Sequence, residues 1–170
     1  MQNIILTGFM GTGKTTVGRI LAAELNRPFV DMDGLIAARE GRSIEAIFAE
    51  DGEAYFRALE KQVLAEVLRK KGQVVSTGGG ALLQNREALE AGGILICLTA
   101  DPEEIIKRLT EEGGRPLLAG DLQKKIQAIL AERRHLYGSV PRQINTGRKT
   151  PRQVAEEIMA LLRQEGITLK

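Results

Sequence analysis

The 170-residue chain has very little cysteine and histidine, and each scarcity narrows what the protein can be. It contains one cysteine, Cys97, and one histidine, His135. A single cysteine excludes a disulfide framework within the chain. Cys97 lies inside the apolar run 94–98, which favours a buried strand thiol over a catalytic one. The chain also lacks any apolar run approaching the roughly 20 residues that span a bilayer.

Strong net charge is missing as well. The 24 Lys and Arg residues against 22 Asp and Glu leave a formal charge of +2, too weak a field to indicate a nucleic-acid partner. Residues 1–8 are apolar but lack the basic start and cleavage site of a secretory leader. We therefore expect one domain over residues 1–170, in the cytoplasm, with no membrane partner.

Short apolar runs alternate with helical patterns along the chain. The strands are predicted over 3–7, 28–31, 73–77, 94–98 and 143–145. The helices are predicted over 14–25, just after Ser43, over 53–70, from 101, over about 121–136, and from Pro151. Strands joined by helices predict an α/β fold with a parallel sheet covered on both faces. In such folds ligands bind beyond the carboxyl ends of the strands.

The segment 8–15, Gly-Phe-Met-Gly-Thr-Gly-Lys-Thr, matches the phosphate-loop pattern and lies between a predicted strand and a predicted helix. Its glycines let backbone N–H groups turn toward phosphate oxygens, and the helix that follows presents its positive end. Lys14 is expected to be an exposed, mobile charge for the β- and γ-phosphates, and the Thr15 hydroxyl to hold Mg²⁺. The other expected ATP-binding residues of this region are Gly11, Thr12, Gly13 and Thr16.

A phosphate loop alone does not separate kinases from GTPases. Residues 31–34, Asp-Met-Asp-Gly, contain the D-x-x-G that GTPases also use, but the chain has no Asn-Lys-x-Asp segment to read guanine. Asp31 and Asp33 flank Met32 at a predicted strand end, where alternation would point both carboxylates the same way. They could serve Mg²⁺ and accept a proton from an attacking hydroxyl, or they could only cap the next helix.

Arginines and glycines make up a second set of candidates. Arg57 lies beside an apolar helical stripe, with Glu60 three residues on to orient it, although a surface ion pair would look the same. The glycines at 78–80 follow a predicted strand, where backbone N–H groups could approach a polar ligand. Arg133 and Arg134 lie late on a predicted helix. Because arginine binds carboxylates bidentately and aspartate binds hydroxyls, this set would suit a carboxylated alcohol.

The chain resembles shikimate kinase from end to end, because seven of its segments match that family in the same order along the chain. The matching segments are Gly-Phe-Met-Gly-Thr-Gly-Lys-Thr at 8–15, Asp-Met-Asp at 31–33, Gly-Arg-Ser-Ile at 41–44, Phe-Arg-Ala-Leu-Glu at 56–60, Ser-Thr-Gly-Gly-Gly at 76–80, Arg-Pro-Leu-Leu at 115–118 and Glu-Arg-Arg-His-Leu-Tyr at 132–137. The resemblance implies a three-layer P-loop kinase fold with a five-stranded parallel sheet and a monomeric enzyme. It also implies a mobile lid at about 110–121 and a shikimate-binding helical region at about 32–60.

The resemblance also implies residue roles. Asp33 would bind the shikimate hydroxyls and act as the catalytic base, Arg57 and Arg133 would hold the carboxylate, and the backbone at Gly79 and Gly80 would complete the pocket. On the nucleotide side, Arg115 would close over the ATP phosphates together with Lys14, Arg108 would assist, the segment from Arg148 to Pro151 would line the adenine, and Asp31 would reach Mg²⁺ through water.

The implied reaction turns ATP and shikimate into ADP and shikimate 3-phosphate in aromatic amino-acid biosynthesis. One departure concerns His135, which stands where family members often have proline. It leaves open whether Arg133 or Arg134 faces the substrate, although the register with Tyr137 favours Arg133. Two alternatives remain, a gluconate-type sugar-acid kinase and an ATP-sensing module without turnover.

Overall fold

The computed structural model describes residues 1–113 and 119–169. Its strands are β1 Asn3–Thr7, β2 Phe29–Asp31, β3 Val74–Ser76, β4 Gly93–Thr99 and β5 Gln143–Asn145. Its helices are α1 Lys14–Leu25, α2 Met32–Glu40, α3 Ile44–Arg69, α4 Leu82–Gly92, α5 Pro102–Gly113, α6 Ala119–Gly138 and α7 Pro151–Gln164.

The five strands form one sheet in the order β2-β3-β1-β4-β5, and every neighbouring pair is parallel. Strands joined by helices can only pair in parallel when each helix crosses back over the sheet. All five carboxyl ends therefore meet at one edge, where β1 ends at Thr7, β2 at Asp31 and β3 at Ser76. The predicted five-stranded parallel sheet is confirmed.

The sheet is covered on both faces, and side-chain alternation along β1 shows how. Ile5 belongs to the core layer that contains Phe56 of α3 and Leu89 of α4. Ile4 and Leu6 point to the opposite layer, which contains residues of α1 and α7. All three β1 side chains have 0% exposure, as expected for a central strand buried on both faces. None of the helices in the described ranges is long and apolar enough to cross a bilayer.

The apolar pattern predicted no helix at α4, and α2 was predicted only as part of the helical region at about 32–60 that the family resemblance implies. The predicted short helix after Ser43 and the predicted long helix at 53–70 are both present, and they adjoin as α3 with a break between them at Gly52, where φ is 84° and ψ is 174°. Ser43 caps its start by accepting from the Ala46 N–H at 3.1 Å. The break lets the chain change direction between the first two turns of α3 and the long second part.

Gly93 offers a test of how closely the central strands pack. A Cβ built on Gly93 would collide with the carbonyl oxygen of Asn3 on the neighbouring strand β1 and lie 2.9 Å from the carbonyl carbon. We expect Gly93→Ala to lower the free energy of unfolding by about 1–3 kcal/mol, because neither strand can move without disturbing the sheet. Urea unfolding followed by circular dichroism measures the change.

Gly138, the last residue of α6, is the matched control, since no atom lies within 4 Å of a Cβ built there. Gly138→Ala should leave the stability unchanged or raise it slightly. Equal stability of the two variants would contradict the close packing at Gly93.

Candidate active site

The phosphate loop joins β1 to α1 through three glycines in the left-handed region. Gly8, Gly11 and Gly13 have φ values of 137°, 77° and 92°. A Cβ on Gly8 would collide with the carbonyl oxygen of Leu98 on β4. The loop is thus held against the sheet in a backbone shape that only glycine adopts without strain, and its N–H groups are available for an anion at the start of α1.

The side chain of Lys14 is buried, which corrects the expectation of an exposed, mobile charge. It is 8% exposed, and its amine donates to the carbonyl oxygens of Gly8 and Phe9 at 2.7 and 2.8 Å. Burial lowers the pKa of Lys14 from 10.5 to about 8, while the negative charge of Asp33 acts in the opposite direction. The amine lies inside the loop that a phosphate would occupy.

The two acids after β2 lie on different elements. Asp31 ends the strand, whereas Asp33 lies in the first turn of α2. The idea that strand alternation aligns them is therefore wrong, because the chain is already helical at Met32. Asp33 Oδ1 is buried and finds no hydrogen-bond partner among the described residues. Burial raises the pKa of Asp33, as does Asp31, and the cations Lys14 and Arg57 lower it.

Arg57 is held most closely by a buried carboxylate, while the exposed carboxylate of Glu53 lies 3.6 Å from its Nε. Its Nη1 lies 2.9 Å from Glu60 Oε1, and the Glu60 side chain is 1% exposed. Glu60 Oε2 is buried and has no hydrogen-bond partner in the described part of the chain. Burial raises the pKa of Glu60, and the hydrogen bond from Arg57 opposes this. The i,i+3 spacing pointed to the pair, but only the structure shows that the pair is buried.

The glycine turn 78–80 is closely approached from three sides, by α2, by α3 and by the phosphate loop. A Cβ on Gly78 would lie 2.7 Å from Asp33 Oδ1 and 3.0 Å from Glu60 Oε2. A Cβ on Gly80 would collide with the guanidinium of Arg57. On the remaining side, a Cβ on Gly79 would lie 3.2 Å from the backbone nitrogen of Met10 in the phosphate loop. The turn needs glycine because α2, α3 and the phosphate loop all approach it closely.

The two adjacent arginines of helix α6, Arg133 and Arg134, have different surroundings. The Arg133 Nη1 donates to the Gly79 carbonyl at 3.4 Å, and its guanidinium lies 5.9 Å from the centre of the Phe9 ring. The Tyr137 hydroxyl, one turn on, donates to the same carbonyl at 2.6 Å. Arg134 is instead exposed, and it lines a cavity of about 570 Å³ together with Phe9 and Tyr137. The structure therefore brings Arg133, and not Arg134, to the glycine turn.

A cavity of about 370 Å³ lies on the other side of the phosphate loop. It is lined by Gly11, Thr12, Gly13, Thr16, Val17, Glu104, Arg108, Glu111, Thr146, Lys149, Pro151 and Val154. Lys149 and Pro151 belong to the segment 148–151 that was expected beside the adenine, whereas Glu104 and Thr146 were not expected from the sequence, since single residues on α5 or directly after β5 carry no motif. Arg148 is exposed with φ 56° and does not line this cavity. Arg115 and the middle of the expected lid, residues 114–118, lie outside the described residues.

Magnesium would find suitable oxygen donors beside the phosphate loop. Thr15 and Asp31 are both half-buried, and Asp33 has a buried carboxylate oxygen with no partner among the described residues. The described residues contain no group of three or more acids, histidines or cysteines placed to hold a metal ion together. A hard cation that keeps its waters and binds mainly through phosphates needs only one or two protein oxygens, and this donor set supplies them.

The chain resembles known proteins over nearly its whole length. The family model for shikimate kinase matches residues 10–163. Shikimate kinase from Geobacter metallireducens is 46% identical over 165 residues, which cover 95% of this chain and 92% of the relative.

Solved structures agree with this assignment. Shikimate kinase from Acinetobacter baumannii, in complex with shikimate, has a TM-score of 0.90 at 38% identity, covering 99% of this chain and 96% of the other. Shikimate kinase from Aquifex aeolicus has a TM-score of 0.81 at 38% identity, with coverage of 97% and 98%. This chain belongs to the shikimate kinase family.

Proposed function

We propose that this protein transfers the γ-phosphoryl group of ATP to the 3-hydroxyl of shikimate and releases ADP and shikimate 3-phosphate. The observation that carries the proposal is the convergence of Asp33, Arg57 and Arg133 on the glycine turn 78–80, directly across from the phosphate loop. One carboxylate for a hydroxyl and two guanidiniums for a carboxylate match the two kinds of polar group on shikimate.

On the acceptor side, Arg57 and Arg133 bind the shikimate carboxylate and thereby fix the ring. Glu60 holds Arg57 in one orientation, so that little side-chain freedom is lost when the carboxylate binds. Asp33 accepts a hydrogen bond from the attacking hydroxyl and takes its proton as the new O–P bond forms. The bond between the β–γ bridging oxygen and the γ-phosphorus breaks, and ADP leaves with that oxygen.

On the donor side, catalysis consists of positioning and charge neutralisation. Lys14 can exchange its two carbonyl partners for the β- and γ-phosphate oxygens, which hold its proton far more firmly. Bound at Thr15, and at Asp31 through water, Mg²⁺ would neutralise charge on the phosphates. We place the nucleotide base in the cavity lined by Arg108 and Pro151. We propose that Arg115 and the lid at about 110–121 close over the phosphates, and that Arg108 and Arg148 assist ATP binding.

The remaining proposals concern organisation. We propose a single domain over 1–170 that acts as a monomer, with residues of about 32–60 as the shikimate-binding region. A reducing compartment such as the cytoplasm suits the one cysteine, Cys97, which is buried and unpaired. Membership in the shikimate kinase family disfavours both the gluconate-type alternative and the ATP sensor.

A coupled assay of ADP release tests the function directly. ADP release from ATP should require shikimate and should not be supported by gluconate. Release with gluconate alone would favour the sugar-acid kinase, and nucleotide binding without any release would favour the sensor.

Lys14→Met tests the phosphate-loop chemistry. We expect kcat to fall by about two to three orders of magnitude, because the transition state loses a preorganised charge on the transferring phosphoryl group. The carbonyls of Gly8 and Phe9 also lose their donor, which should lower the free energy of unfolding by roughly 1–3 kcal/mol. Steady-state kinetics and thermal unfolding measure the two effects separately. Near-normal kcat in a folded variant would contradict the assignment.

Arg57→Ala and Arg133→Ala test the carboxylate site, with Arg134→Ala as the matched control on the same helix. Each of the first two removes charge-assisted hydrogen bonds, on the order of 1.5–3 kcal/mol, and should raise KM for shikimate by at least about tenfold. Arg134→Ala should leave it nearly unchanged, because the Arg134 side chain is exposed and the hydrogen bond to the Gly79 carbonyl comes from Arg133. A larger effect for Arg134→Ala than for Arg133→Ala would reverse their roles.

Asp33→Asn and Asp31→Asn test how the two acids divide their work. Asp33→Asn keeps the size and a hydrogen-bond acceptor but loses basicity, so kcat should fall by roughly two to four orders of magnitude while shikimate binding persists. Asp31→Asn should mainly raise the Mg²⁺ requirement and be partly rescued by excess metal. Titrating Mg²⁺ against kcat for both variants distinguishes the roles, and rescue of Asp33→Asn alone would exchange them.

A further inference from the structure

Thr146, directly after β5, is a buried residue that no motif singles out. It is 2% exposed, and its backbone N–H donates to the Thr99 carbonyl at the end of β4 at 2.8 Å. Its hydroxyl lies 3.1 Å from the same carbonyl oxygen and 3.1 Å from Nη1 of Arg108 on α5. Thr146 is thus bound to a strand end on one side and to a guanidinium on the other.

The chemistry of the three groups fixes the direction of these bonds. A carbonyl oxygen can only accept and a guanidinium can only donate, whereas a hydroxyl has one proton and two lone pairs. The Thr146 hydroxyl must therefore donate to Thr99 and accept from Arg108. The hydrogen bond to the Thr99 carbonyl fixes the orientation of the Thr146 hydroxyl proton, so that a lone pair of the oxygen faces the guanidinium of Arg108.

Arg108 connects Thr146 to the phosphate loop. Its Nη1 also donates to the Gly11 carbonyl at 3.1 Å, and its Nη2 donates to the Thr146 carbonyl at 3.0 Å. Its Nε lies 3.1 Å from Glu104 Oε1. The loop rests on the same helix, since a Cβ on Gly11 would lie 3.2 Å from the side chain of Leu109. In the structure the donors of Arg108 are directed at protein oxygens.

We propose that Thr146 is a positioning residue that holds the phosphate loop in its nucleotide-binding shape through Arg108. The proposal rests on the proposed function only in taking ATP as the donor. A loop with glycines at 8, 11 and 13 has many accessible shapes, and an arginine has several rotamers. The Thr146 hydroxyl is bound to β4 and holds Arg108. This restricts both the rotamers of Arg108 and the shapes of the loop before the nucleotide binds.

The test measures nucleotide binding without shikimate. We expect Thr146→Val, which keeps the shape and removes the hydroxyl, to weaken MgADP binding by about tenfold in isothermal titration calorimetry. Thr146→Ser, which keeps the hydroxyl, should restore the affinity to within about twofold of wild type. In turnover, KM for ATP should rise in Thr146→Val while KM for shikimate changes by less than about twofold. A general structural defect would move both KM values.

A double-mutant cycle tests the route through Arg108. In an Arg108→Met background, Thr146→Val should have no further effect on MgADP binding, because the partner of the hydroxyl is already gone. Additive effects would overturn the proposal, as would unchanged affinity in Thr146→Val. Thr146→Ala replaces Thr146→Val in the same cycle if the valine variant does not fold. A protein that binds MgADP but does not phosphorylate shikimate would contradict the proposed function and leave this inference standing.

Discussion

Four charged side chains constrain the rest of the active site: three meet at one glycine turn, and the fourth, on the phosphate loop, affects the pKa of one of them. Lys14, Asp33, Arg57 and Glu60 are buried or half-buried between the phosphate loop, α2 and α3. Removing a charge from water costs several kcal/mol unless an opposite charge or hydrogen bonds offset it. Each of these groups therefore depends on the others, and the pKa values of Lys14, Asp33 and Glu60 all move toward the neutral form.

This mutual dependence suits a site that binds anions. Asp33 Oδ1 and Glu60 Oε2 are buried and have no hydrogen-bond partner among the described residues, and donor groups on a ligand can satisfy them. The parallel sheet makes the arrangement possible, because the carboxyl ends of β1, β2 and β3 are neighbours at one edge. The phosphate loop, Asp31 and the glycine turn follow those three ends, so residues far apart in the chain meet without long loops.

Much of the fold was predictable from the sequence, and most of the candidate site residues could be identified from it. The phosphate-loop glycines and the apolar runs predicted the alternation of strands and helices, because both patterns are local. Long-range facts were not predictable in the same way. The burial of Lys14 depends on how the loop closes over its own amine, and the helical position of Asp33 depends on α2 starting at Met32. Thr146 gives no signal because its role lies in three contacts across the chain.

The adjacency of Arg133 and Arg134 makes α6 sensitive to changes in length. Successive residues on an α-helix are separated by about 100° around its axis. One residue inserted in α6 before Arg133, with the helix held in place upstream, would turn the whole downstream face by that angle. Arg133 and Tyr137 would then leave the Gly79 carbonyl together. The middle of α6 therefore has to keep its length for the glycine turn to keep its two donors.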